Sequence, residues 1–116
     1  MTEEQFKRRT KQLALRVIRL VESLPKSKTG DVIGRQVLRS ATSVGANYRA
    51  ACRAKSNADM INKLRIVEEE ADETLYWLEL LVEAELVAPS RLADLMDETN
   101  QITAMIVSSI NTLRKK

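Results

Sequence analysis

Four stretches of this chain carry apolar side chains at alternating intervals of three and four residues, the period of an α-helix buried on one side. The first stretch shows it most regularly, at Phe6, Thr10, Leu13, Val17, Leu20 and Leu24. The 116 residues include only three glycines and two prolines, and this shortage of turn residues favours a few long elements over many short strands. The sequence therefore predicts an all-α protein.

Local signals set the ends of the predicted helices. Thr2 and Gln5 have the spacing of a capping box, and Pro25 ends the first helix because it lacks an amide hydrogen. The predicted helices cover residues 2–24, 31–54, 56–84 and 89–113, with a polar connection from Lys26 to Asp31. Because short connections place neighbouring helices antiparallel, we expect one domain over residues 1–116, folded as an antiparallel up-down-up-down four-helix bundle.

The same period assigns an inner face to each helix. The second helix carries small residues, Gly45 among them, which let a neighbouring helix approach closely. The predicted inner face of the third helix consists of Leu64, Val67, Ala71, Leu75, Leu78 and Val82. That of the fourth consists of Leu95, Thr99, Ile102, Ile106, Ser109 and Leu113.

The third helix is apolar on a second side, and its outer apolar residues are Ile66, Tyr76, Trp77 and Leu80. Exposed together on a monomer, they would form a large apolar patch. Another copy of the chain is the simplest partner that would cover them, which predicts a homo-oligomer. The alternative is that scattered apolar side chains are normal on a protein surface.

Charge is divided unevenly along the chain. Residues 1–65 contain 15 Lys and Arg against 5 Asp and Glu, whereas residues 66–116 contain 4 against 11. The basic half predicts an RNA or DNA interface formed by Arg35, Arg39, Arg49 and Arg53 of the second helix, extended by Lys7, Arg8, Lys11 and Arg19 of the first. The alternative is that these arginines pair with carboxylates of the third helix, within one chain or between chains.

Glu68 borders the predicted core of the third helix. A carboxylate in such a place needs a cation or a hydrogen-bond donor, so we expect it to pair with Arg9, Arg16 or Arg49.

Several kinds of chemistry lack the residues that they need. The chain has no histidine, which excludes Ser-His and Cys-His nucleophilic catalysis, and its single cysteine, Cys52, cannot complete a zinc site. No glycine-rich phosphate loop and no apolar run of 18 residues is present. We expect a non-enzymatic cytoplasmic protein without cofactor or metal, and with no membrane partner.

The stretch QVLRSATSVGANYRAACRA at 36–54, followed by EEEADETLYWLELL at 68–81, resembles a known family. It is similar to the bacterial four-helix-bundle proteins encoded in intervening sequences of 23S ribosomal RNA genes, and to a related branch, the accessory variability protein of diversity-generating retroelements. The pattern R-x-A-x-S-V-x-x-N is formed by Arg39, Ala41, Ser43, Val44 and Asn47. The third helix matches at Glu70, Asp72, Glu73, Leu75 and Leu78.

The resemblance implies a bundle that assembles into a ring, typically a homopentamer. For the retroelement branch it also implies a basic surface that binds nucleic acid and a reverse transcriptase. The chain departs from the common family pattern after Asn47, where Tyr48 and Arg49 make the region more basic. Two functions stay open: a ring that binds RNA or DNA through its first two helices, and a scaffold oligomer whose arginines are all held in salt bridges.

Overall fold

The computed structural model describes all 116 residues and contains four α-helices. These are α1 (Glu3–Glu22), α2 (Lys28–Ala51), α3 (Asn57–Glu83) and α4 (Pro89–Arg114). Each helix packs against the next one in the chain, and α1 closes the bundle against α4 with the smallest of the four contacts. The bundle measures 48 × 21 × 20 Å. The predicted all-α four-helix bundle is confirmed, and none of its helices combines the length and apolar character needed to cross a membrane.

Short-range hydrogen bonds fix where the helices begin. The Gln5 amide donates to Thr2 Oγ1 at 3.1 Å and the Thr2 amide donates to Gln5 Oε1 at 2.9 Å, which completes the predicted capping box. The expected polar connection up to Asp31 is wrong, because Ser27 Oγ accepts a hydrogen bond from the Gly30 amide at 2.9 Å and starts α2 at Lys28. At the other end, α2 stops at Ala51, three residues before the predicted end.

The end of α3 is formed by a left-handed residue that is not a glycine. Glu85 has a φ of 62°. The Leu86 amide donates to the carbonyl of Leu81 at 3.0 Å and the Glu85 amide donates to that of Val82 at 3.0 Å, the pair of bonds that defines a Schellman motif. This turn buries Val87 and directs the chain into Pro89 at the start of α4.

Twenty buried apolar residues form one continuous core. The inner face of α1 is mostly as predicted, but those of the last two helices are displaced by one residue in places. On α3, Thr74 and Leu81 are buried, while Leu75 and Val82 are only half-buried. On α4, Ile110 is buried in place of the predicted Ser109, which is exposed.

The buried hydroxyl of Thr74 is satisfied between two helices. Thr74 Oγ1 lies 2.9 Å from Ser40 Oγ on α2 and donates to the carbonyl of Glu70 at 2.8 Å. Both side chains are fully buried, so this hydrogen bond fixes the register of α2 against α3.

Arg9 joins α1 to α4, the pair of helices with the least contact. Its guanidinium donates to both carboxylate oxygens of Glu98, at 2.7 and 2.8 Å, and to Gln101 Oε1 at 2.7 Å. The bond to Glu98 raises the pKa of Arg9. A paired, partly buried arginine thus holds together the seam that apolar packing covers least.

Candidate nucleic-acid interface

The first half of α1 and the last turn of α2 enclose a polar concavity of about 260 Å³. We call it the cationic groove, and it is lined by Glu4, Lys7, Arg8, Lys11 and Arg49. Four of these five side chains are cations and none is apolar. The groove therefore brings together four of the eight residues that the sequence predicts for nucleic-acid binding.

Close packing of α1 on α2 brings the two sides of the groove together. Gly45 faces Thr10, and a Cβ at position 45 would lie 3.2 Å from Thr10 Oγ1. The Thr10 hydroxyl is directed back to its own helix, within 3.1 Å of the carbonyls of Phe6 and Lys7. One turn further along α2, the rings of Phe6 and Tyr48 pack with their centroids 4.6 Å apart. The small residue and the aromatic pair together place Arg49 beside the basic face of α1.

Three of the four groove cations are free. Lys7 Nζ lies 3.3 Å from Glu3 and 3.5 Å from Glu4, and its pKa is raised chiefly by the hydrogen bond to Glu3. Arg8, Lys11 and Arg49 are exposed, and none of them takes part in an ion pair. Unpaired cations around one concavity give it a positive potential, which favours an anion in the groove.

Arg39 lies outside this groove and is paired across the bundle. It contacts Glu70 at 3.2 Å and Glu73, both on α3. Glu73 also accepts a hydrogen bond from Trp77 Nε1 at 3.0 Å. The Trp77 bond, followed by Arg39, lowers the pKa of Glu73, and the bond to Glu73 raises the pKa of Arg39. For this one arginine, the predicted alternative of pairing with α3 is what the structure contains.

The remaining predicted cations lie outside the cationic groove. Arg35, at the opposite end of α2, is about 21 Å from Arg49 along the helix axis and borders a separate concavity with Asp31. Arg53 is exposed in the turn after α2. Arg19, on α1, borders a concavity between α1 and α4. The four predicted arginines of the second helix therefore do not form one free surface, because Arg39 is paired and α2 ends before Arg53; their role in nucleic-acid binding stays a prediction.

A different set of arginines was not predicted as a group. Arg16 and Arg91 border one concavity together with Arg19, at the meeting point of the end of α1 and the start of α4. Up-down-up-down topology brings these two helix ends together, and each end is basic. The sequence could have identified this group from two features: the antiparallel order of the predicted helices, and the arginines near these two helix ends.

The apolar outer face of α3 is smaller than the sequence indicates. Ile66 and Tyr76 are exposed by 42% and 52%. Trp77 and Leu80 are half-buried and pack against the core, so they add less exposed apolar surface to this face than the sequence predicts. The Trp77 ring packs edge-on against Tyr76, with centroids 5.1 Å apart, and its indole N–H is held by Glu73.

Glu68 has no ion-pair partner in the chain, contrary to expectation. It lines a polar concavity between α3 and α4 with Glu69, Asp72 and Arg114. The predicted partner Arg9 pairs with Glu98 instead. Arg9 and Arg16 do not reach Glu68 because α1 packs on α2 and α4 and makes no contact with α3. Arg49, the third expected partner, lies in the cationic groove beside α1.

Reactive groups are few on this surface. No group of three or more His, Cys, Asp or Glu side chains is arranged to hold a metal ion. Cys52 is half-buried beside Tyr48, and burial raises the pKa of its thiol. Burial also raises the pKa of Tyr48.

Fold and surface together define a small antiparallel helical bundle with a cationic groove formed by α1 and α2. The chain belongs to the 23S rRNA-intervening sequence protein family, whose family model matches residues 3–108. This confirms the first part of the resemblance seen in the sequence. The relation to retroelement accessory proteins is not shown by this match.

A solved structure agrees with this assignment. The chain is similar to a protein of unknown function from the S23 ribosomal protein family of Bacteroides thetaiotaomicron VPI-5482, with 37% sequence identity and a TM-score of 0.88. The alignment covers 96% of this chain and 99% of that one. No curated protein matches the chain.

Proposed function

We propose that this chain is a non-enzymatic bundle that binds RNA or DNA through the cationic groove. The observation that carries the proposal is the presence of Arg8, Lys11 and Arg49, three exposed and unpaired cations, around one concavity without an apolar lining residue. Phosphate contacts of this kind release condensed counterions, which supplies most of the binding free energy of a sequence-independent interface.

The groove suits a phosphate backbone better than bases. No aromatic side chain lines it, so it offers no platform on which a base can stack. Arginine presents a planar fork that matches two phosphate oxygens, while Lys11 adds a compact charge. Binding through the groove is therefore expected to depend little on nucleotide sequence.

The experiment is a fluorescence anisotropy titration of labelled RNA and DNA oligonucleotides at low salt. Changing Arg8, Lys11 and Arg49 together to Gln should lower the affinity at least about a hundredfold, since each lost charged hydrogen bond is worth roughly 1.5–3 kcal/mol. The matched control changes Lys26, Arg35 and Arg65 to Gln, which removes the same charge from exposed positions outside the groove. Equal losses in both variants would contradict a defined groove.

We further propose that the chain forms a homo-oligomer through the outer face of α3. Ile66 and Tyr76 favour this assembly because they are exposed on the helix that also carries the Tyr76–Trp77 pair. The resemblance to ring-forming bundles makes a pentamer the expected number of subunits. In such a ring, several cationic grooves would bind one nucleic-acid chain with a combined affinity above that of a single groove.

A further inference from the structure

The second group of arginines lies in a recess between α1 and α4, which we call the arginine recess. Arg16 and Arg19 enter it from α1, and Arg91 enters it from the first turn of α4. The recess has a volume of about 300 Å³, and its lining contains no carboxylate. Its floor is apolar and consists of Leu20, Leu92 and Leu95.

These three arginines have no ionic partner. Glu22 and Asp94 are each three residues from one of them, yet neither forms an ion pair with it. Arg91 Nη2 donates one hydrogen bond, to Ser23 Oγ at 3.1 Å. The Ser23 hydroxyl in turn donates to the carbonyl of Leu20 at 2.7 Å, so the Arg91 side chain is anchored while most of its donors stay free.

The start of α4 adds to the positive potential of the recess. Its N-cap residue, Ala88, provides no side-chain acceptor, and its first turn contains no acidic residue. Pro89 has no amide hydrogen and the Arg91 amide donates to the carbonyl of Ala88 at 3.0 Å, so this contribution is small. The positive charge of the recess therefore comes chiefly from its three guanidinium groups.

We propose that the arginine recess binds the terminal phosphate of a nucleic-acid strand. The inference rests on the proposed function, since the rest of the strand would lie along α1 toward the cationic groove. A terminal phosphate carries nearly two negative charges and three acceptor oxygens at neutral pH, whereas an internal phosphodiester carries one charge. Three arginine forks without a competing carboxylate match the doubly charged group better.

The spacing along α1 is compatible with one strand in both places. Lys11, at the edge of the cationic groove, is about 8 Å from Arg16 along the helix axis and about 140° from it around the axis, so a strand that reaches both places has to cross the exposed side of α1.

The test compares one oligonucleotide sequence with a 5′-phosphate, a 3′-phosphate or hydroxyl groups at both ends, in the same anisotropy assay. We expect a terminal phosphate at one of the two ends to raise the affinity about tenfold, as a charge-assisted contact does. Changing Arg16 and Arg91 to Gln should reduce that ratio to about one, because the affinity of the phosphorylated form should fall about tenfold more than that of the hydroxyl form. The control is the Arg8, Lys11 and Arg49 variant, which should weaken both forms equally and keep the ratio.

Two results of these oligonucleotide titrations would overturn the inference and leave the proposed function intact. One is equal affinity of the wild-type protein for phosphorylated and hydroxyl ends. The other is a phosphate preference that survives the Arg16 and Arg91 changes. If a nucleoside 5′-monophosphate binds as tightly as the phosphorylated oligonucleotide, the recess belongs to a small phosphorylated ligand and recognition of strand ends is overturned.

If no oligonucleotide binds, the proposed function fails, and the recess is then tested with inorganic phosphate alone. Saturable shifts of the Ser90, Arg91 and Leu92 amide signals in NMR spectra would support phosphate binding at the recess, provided that the Arg16 and Arg91 variant does not show them. Absence of these shifts in the wild-type protein would contradict phosphate binding at the recess.

Discussion

Arg39 and Arg49 lie on the same helix, yet only Arg39 has a carboxylate partner. Arg39 lies opposite Glu70 and Glu73 of α3, so its charge is neutralised within the chain. Arg49 lies at the end of α2, where its neighbours in the groove are mostly basic. The helix that faces an arginine therefore decides whether its charge is available to a ligand.

Glu73 provides a test of the paired arginine through pH. Its pKa is lowered by Trp77 and Arg39, so the charged form stabilises the folded state. This contribution is complete above the ordinary glutamate pKa of 4.5 and is lost as the pH falls through the lowered value. In urea unfolding, the wild-type protein should exceed the Glu73→Gln variant in stability at pH 6, and the difference should shrink toward pH 3.

The control for this measurement is Glu79→Gln. Glu79 lies on the same helix, exposed and without an ion pair. We expect its replacement to lower the stability at pH 6 by less than Glu73→Gln does, because no ion pair is lost. A difference between wild type and Glu73→Gln that stays constant from pH 6 to 3 would contradict the assignment.

Pairing of individual side chains was the part that the sequence predicted least well. On a helical wheel, Arg39 and Arg49 lie on the same side of α2. The wheel does not show which neighbouring helix packs beside each of them. Glu68 was expected to meet Arg9, and the order of helices in the bundle separates α1 from α3. The sequence places Trp77 on the outer face of α3 because a helical wheel treats each side chain as a point. In the structure, part of its large ring packs against the core.

The contact between α1 and α2 depends on a position without a side chain. A Cβ at Gly45 would lie 3.2 Å from Thr10 Oγ1 and 3.5 Å from Thr10 backbone carbon. Gly45→Val should therefore push the helices apart and lower the free energy of unfolding by about 1–3 kcal/mol, the usual cost of overpacking. Urea denaturation followed by circular dichroism measures this change.

Ala46→Val is the matched control, since residue 46 is exposed on the same helix. It should cost less than about 1 kcal/mol, because only helix propensity changes. If the two substitutions destabilise the protein equally, the close approach at Gly45 does not limit the packing of α1 on α2.

Helix positions were largely predictable because caps and prolines act over three or four residues. Thr2, Pro25 and Pro89 each ended or began a helix near the expected residue. Ser27 was missed as a cap, and α2 therefore began three residues early. The inner face of α3 was predicted less well because an apolar-rich helix offers several sets of residues spaced three or four apart. Packing against the neighbouring helices determines that Thr74 and Leu81 are the buried ones.

The division of charge between the two halves of the chain has two consequences in the folded molecule. Part of it is neutralised where α2 meets α3, at Arg39, and where α1 meets α4, at Arg9. Among the unpaired cations, two groups surround a concavity, one in the cationic groove and one in the arginine recess. Both places lie beside α1, which therefore forms the centre of the proposed binding surface.

Self-association is tested by mass measurement with light scattering after size exclusion. For a pentamer we expect five times the mass of the 13.1 kDa chain. Changing Ile66 and Tyr76 to Lys should lower the mass, because two charges would have to be buried at the interface. The control changes Leu15 and Ile18 to Lys, two exposed apolar residues on α1.

The control protein should keep the wild-type mass. A monomeric wild-type protein would contradict self-association. Loss of assembly in the control alone would place the interface on α1 and not on α3.

The salt dependence of nucleic-acid binding tests the cationic groove most directly. Three phosphate contacts give a slope of log affinity against log salt concentration near −2 for a single strand and near −3 for a duplex, for each groove engaged. We predict that the variant with Gln at positions 8, 11 and 49 loses this part of the slope, while the Lys26, Arg35 and Arg65 variant keeps it. Identical slopes in all three proteins, or no binding at low salt, would contradict the groove as the site of nucleic-acid binding.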